Sequence, residues 1–93
     1  MTSLTIKESV LIENKLGLHA RAATKLAKLS KNYQAKITLT LEQKSAEADS
    51  IMGLMLLTGS QGKEVHIKAE GVQAREAMTA VIQLFLDKFD EEE

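Results

Sequence analysis

The segment Asn14-Lys15-Leu16-Gly17-Leu18-His19-Ala20-Arg21 holds the residues best equipped for chemistry. Gly17 permits a tight backbone turn, and a helical pattern begins directly after His19. The spacing therefore predicts His19 at the N-cap of a helix. The first N–H groups of a helix have no intrahelical acceptors and point outward. Together with the helix dipole they form a site for anions. Here the groups would be the backbone N–H of Ala20 and Arg21, and the Arg21 guanidinium adds a planar, permanent cation. A neutral imidazole nitrogen can attack phosphorus, and these donors would hold the oxygens of the phosphoramidate that forms. Positive surroundings disfavour imidazolium and keep the ring nucleophilic. On residue type alone, a single histidine at a helix start also fits a plain cap or a surface position.

The other candidates are fewer. There is no cysteine, which removes disulfides, thiol nucleophiles and cysteine metal sites. His66 alternates onto the polar side of a strand and has no metal-ligand partner at suitable spacing, so it reads as a solvated surface residue. No metal or cofactor site is expected. Ser50 precedes a short apolar helix and suits an N-cap, since its oxygen can accept from free backbone N–H groups. In that helix, Ile51 to Leu57, every residue but Gly53 is large and apolar. A two-turn helix on a sheet buries one side only. If Leu54 and Leu57 face the core, Ile51, Met52 and Met55 stay outside, where an apolar patch suits a partner protein. A covering loop or a second copy of the chain is the plain alternative.

The elements that must position these residues follow from periodicity. Leu4, Ile6, Val10 and Ile12 share a strand face, interrupted by Glu8. Ala35, Ile37, Leu39 and Leu41 alternate with polar residues, and so do Val65, Ile67 and Ala69. A shorter strand, 45–48, would pair with the second through a turn near Gln43 and Lys44. Helical patterns cover 20–31, with Ala23, Leu26, Ala27 and Ser30 inward, and 73–88, with Ala74, Ala77, Met78, Val81 and Phe85 inward. Asn32 fits a left-handed helix terminator. The order is β-α-β-β-α-β-α, an α+β fold with helices on one side of an antiparallel sheet. The 93 residues fit one domain, 1–93, with an acidic, frayed tail at 90–93. Net charge is −1, but no acid lies between Glu13 and Glu42, while Lys15, Arg21, Lys25, Lys28, Lys31 and Lys36 do. Such a field attracts phosphate, nucleic acid or an acidic protein surface; a solvated helix face explains it equally well.

The neighbouring pattern brings in a family. NKLGLHARAATKLAKL resembles the active-site segment of the HPr phosphocarrier family, usually GLHARPA, and KSAEADSIMGLMLL resembles its regulatory-serine helix. The resemblance runs from about residue 4 to 89. It implies an open-faced sandwich with sheet order 1-4-2-3 and three helices on one face. It implies a phosphoryl carrier rather than an enzyme: His19 accepts phosphate through Nδ1 from enzyme I, charged by phosphoenolpyruvate, and passes it to a IIA protein or domain. Arg21 matches the active-site arginine. Ser50 matches the serine phosphorylated by an HPr kinase/phosphorylase in some bacteria. Leu18, Ala20, Lys28, Ile51, Met52 and Met55 would form the docking surface, with lysines 25, 28 and 31 as a charged rim. Ala22 departs from the usual proline, and as a good helix former it should preserve the role. NKLGLHAR and the end FDEEE resemble the nitrogen branch, NPr, as well as sugar-uptake HPr.

Three other classes fare worse. A nucleic-acid module would need exposed aromatics on its strands, and Tyr33, Phe85 and Phe89 all lie outside them. A small-ligand regulatory domain leaves the Gly17-to-Arg21 motif unexplained. A hydrolase or kinase would need a phosphate loop or a carboxylate pair near the histidine. No leader-like start and no membrane-length apolar run are present, so the expectation is a cytoplasmic monomer with no membrane insertion.

Overall fold

Alternation decides the sheet. A computed structural model describes residues 4–91, and in it four strands form: β1 (Leu4–Leu11), β2 (Lys36–Leu41), β3 (Lys44–Glu47) and β4 (Glu64–Gly71). They pair antiparallel in the order β1-β4-β2-β3. Ile37, Leu39 and Leu41 of β2 and Val65, Ile67 and Ala69 of β4 all point to one buried face. Thr38, Thr40, Glu64, His66, Lys68 and Ser45 line the other, which is left open. The turn into β3 falls at Glu42 and Gln43, with Glu42 at a φ of 57°, so Lys44 already pairs with Leu41.

The buried face is covered by α1 (Ala20–Ser30), α2 (Ile51–Leu56) and α3 (Ala74–Leu86). Each buries the stripe that its spacing predicts: Ala23, Leu26 and Ala27 in α1, and Ala74, Ala77, Met78, Val81 and Phe85 in α3. All of these but Ala27 join the inward strand residues and Ile12, Leu18, Leu54 and Leu57 in a contiguous core. Asn32 does not terminate α1 as a left-handed residue. Its N–H donates to the Leu29 carbonyl at 3.0 Å, and that of Tyr33 to Ser30 at 3.4 Å. A tight i−3 turn closes the helix without positive φ at this position.

The chain end differs most from expectation. A 3₁₀ turn, Lys88–Asp90, follows α3, and Lys88, Phe89 and Asp90 all have φ between 55° and 62°. This reversal sends Phe89 back into the core, where it is fully buried against Phe85, with ring centroids 4.9 Å apart and the planes at 65°. Asp90 and Glu91 follow this reversal back towards the domain; Glu92 and Glu93 lie outside the described residues. Phe89→Ala removes a whole buried ring and should cost about 3 kcal/mol, read as a lowered midpoint in urea unfolding.

Candidate functional site

Placement of the histidine begins with a backbone crossing. Gly17 has a φ of +66°, and a Cβ there would lie 2.1 Å from the Gly59 carbonyl oxygen. Only glycine fits, on grounds of both conformation and space. The next residue, Leu18, donates its N–H to that same carbonyl at 2.9 Å. The loop before α1 is thereby pinned to the loop after α2. His19 emerges as the N-cap of α1, extended at φ −79° and ψ 178°, and its ring does not cap the helix. The free first-turn donors are therefore left to face outward beside the ring. Ala20 and Arg21 are exposed, while Ala22 is fully buried.

The ring is not surrounded by positive charge alone. Its Nε2 meets the Glu91 carboxylate at Oε2. The other oxygen, Oε1, accepts from Nδ2 of Asn14 at 3.0 Å, and the same Nδ2 donates to the Gly17 carbonyl at 2.8 Å. Asn14 is fully buried, and its Oδ1 has no hydrogen-bond partner among the described residues. An orphaned buried acceptor costs roughly 1–3 kcal/mol, so Asn14 trades stability for joining the loop to the tail. Lys25 completes the seat: its Nζ donates to the Phe89 carbonyl at 2.7 Å and lies 3.6 Å from Asp90. Burial pushes the Glu91 carboxyl up, but the hydrogen bonds from Asn14 and His19 and the charges of His19 and Arg21 outweigh it, holding it below its ordinary value of 4.5.

The second motif sits on α2. Ser50 is its N-cap, and Oγ accepts from the Gly53 N–H at 3.0 Å. Leu54 and Leu57 are buried. Met52 and Leu56 are 72% and 69% exposed, and Ile51 and Met55 are also outside. The apolar patch is therefore present, and Leu56 belongs to it as well. Two expected docking residues change role. Leu18 is only 4% exposed and packs against Gly59, so it anchors the loop instead of meeting a partner. Lys25 is committed to the tail, whereas Lys28 and Lys31 remain exposed. His66 is exposed, with Glu64 at 3.5 Å. Phe85 and Phe89 are buried, so neither can stack on a base. Among the described residues no helix is long and apolar enough to cross a membrane, and no cluster suits a metal ion.

Local sequence pattern gives no role to Asn14, Glu91 or Phe89. The available signal was charge: an acid-free interval from residue 14 to 41 and an acid-only end are natural partners.

The family described as the PTS HPr component phosphorylation site matches residues 6–87. Phosphocarrier protein NPr of Klebsiella oxytoca is 44% identical over 90 residues, covering 96% of this chain and 100% of that one. Phosphocarrier protein HPr of Xylella fastidiosa (strain 9a5c) is 38% identical over 87 residues, covering 94% and 98%. The crystal structure of HPr-C-His from Thermoanaerobacter tengcongensis superposes with a TM-score of 0.89 at 38% identity, covering 95% of this chain and 99% of that one.

Because the Glu91 carboxyl is held below its ordinary value, its contribution to stability is complete above pH 4.5 and is lost as pH falls through the depressed value. The stability difference between wild type and Glu91→Gln should shrink as pH falls below 4.5, as followed by urea unfolding in acid.

Proposed function

The chain belongs to the HPr family of phosphotransferase-system phosphocarriers, and on that premise we propose that His19 is the residue that carries the phosphoryl group. The observation that carries this reading is the position of His19 at the N-cap of α1, with its ring outside the helix and its side chain a quarter exposed. A phosphoryl group on that ring would sit over the free N–H groups of Ala20 and Arg21 and beside the Arg21 guanidinium, which together oppose its charge. The protein acts as a relay intermediate, not as an enzyme: it takes the group from enzyme I and yields it to a IIA protein or domain, in the cytoplasm.

The exposed face of α2 is the docking surface for both partners, with Ala20 and Lys28 at its margin. Ile51, Met52, Met55 and Leu56 supply apolar contact, and methionine can adapt to two differently shaped partners. Exposed Lys28 and Lys31 would speed encounter with acidic partners. Ser50, at the N-cap of this helix, is the position where an HPr kinase/phosphorylase would act; phosphate there adds charge beside the apolar face and repels an acidic partner. The similarity to NPr of Klebsiella oxytoca favours the nitrogen branch.

Incubation with enzyme I and phosphoenolpyruvate should give an acid-labile, base-stable phosphoprotein, and His19→Ala should abolish the label. Persistent labelling of the variant would overturn the assignment. Met52→Asp should slow transfer about tenfold, as expected when about 1.4 kcal/mol of contact is lost, while leaving the circular dichroism spectrum unchanged.

A further inference from the structure

A ring nitrogen that already donates a proton to a carboxylate is not free to attack phosphorus. In this protein that nitrogen is Nε2 of His19, which faces Oε2 of Glu91. The carboxylate is held at both oxygens, because Asn14 Nδ2 donates to Oε1. The Asn14 amide orientation is itself set by its second bond, to the Gly17 carbonyl. Neither partner is free to wander: Asn14 is fully buried, and the segment carrying Glu91 is anchored by buried Phe89 and by Lys25. The family match ends at residue 87, before Phe89 and Glu91.

We infer that Glu91 is a positioning residue for phosphoryl acceptance, holding the Nε2–H of His19 so that Nδ1 carries the free lone pair. The inference rests on the reading of His19 as the carrier. In the step itself, the Nδ1 lone pair forms the new bond to phosphorus. The bond from phosphorus to the phosphorylated donor protein breaks, and its electron pair leaves with the donor. The Nε2 proton stays on the ring, which gains positive charge as the bond forms. A carboxylate against Nε2–H is attracted more strongly to that charged ring than to the neutral one. It therefore favours the transition state over the ground state, which is the condition for accelerating the step. An orienting carboxylate on the far nitrogen of a catalytic histidine has the same physical role in hydrolase triads. Fixing ring rotation adds an entropic gain, because the nucleophile is aimed before the donor docks.

The test compares wild type with Glu91→Gln and Glu91→Ala in two measurements. The first is ¹H–¹⁵N NMR of the His19 ring without any donor. Wild type should show a protected, downfield Nε2 proton; Glu91→Ala should lose it. Ring spectra that are identical in wild type and Glu91→Ala would overturn the contact. The second is the rate of phosphoryl acceptance from enzyme I. Glu91→Ala should slow it roughly tenfold or more, with the near-isosteric Glu91→Gln in between. A changed ring proton with an unchanged rate would reduce Glu91 to a structural contact and overturn its role in transfer. If wild type itself takes no phosphate, the carrier reading fails, and the ring spectra still decide whether Glu91 orients His19. If wild type is labelled and both variants match its rate, only the inference about Glu91 fails.

Discussion

The Gly59 carbonyl fills the space where a side chain at position 17 would stand, and accepts a hydrogen bond from Leu18 one residue later. Much of the molecule follows from this close approach. It needs a left-handed glycine in one loop and a second small residue opposite, because a Cβ on Gly59 would press on Ile12 and Leu18 at 2.8 and 2.9 Å. It also fixes where α1 begins, and therefore where the outward N–H groups stand relative to α2. His19 and the exposed apolar face of α2 belong to different helices. They share a frame because the loops that precede one helix and follow the other are joined backbone to backbone.

The same frame explains why the site has mixed polarity. An N-terminal helix end and a run of cations would by themselves make a uniformly positive pocket. The acidic end of the chain enters that pocket and takes up part of the charge: Asp90 lies by Lys25 and Glu91 lies on His19. A buried Asn14, with one acceptor left unmatched, is the cost of holding the carboxylate there.

The fold was legible in the sequence because its signals are local. Alternation in β2 and β4 and the stripes of α1 and α3 each depend on residues a few positions apart, and the buried sets follow them, with Ala22 added in α1 and Ala35 only partly buried ahead of β2. His19 as N-cap and Ser50 as N-cap were legible for the same reason. The site was legible only in part. Leu18 is apolar and adjacent to the histidine, so its type cannot tell a partner contact from a core anchor; only the crossing at Gly59 does. Glu91 is 72 residues from His19 along the chain, and the path between them turns on three consecutive non-glycine residues with positive φ. No composition rule anticipates that reversal. It is allowed by the burial of Phe89, a long-range gain that a reading of neighbours cannot see. Asn32 shows the opposite error: a residue able to adopt the left-handed region was not needed there, since i−3 hydrogen bonds close the helix.

The three left-handed residues ahead of Glu91 also carry a kinetic meaning. A left-handed conformation costs roughly 1–2 kcal/mol per non-glycine residue, so the reversal is a loaded spring whose catch is one aromatic ring. Releasing that ring would free the last turn and would cost its edge contact with Phe85 of α3. Chain ends are where proteins in general open below the energy of global unfolding. The amide protons of this last turn should therefore exchange with solvent far sooner than those of β4. The environment of the histidine is then governed by two clocks: a slow one for the scaffold that presents it, and a faster one for the clasp that holds its ring.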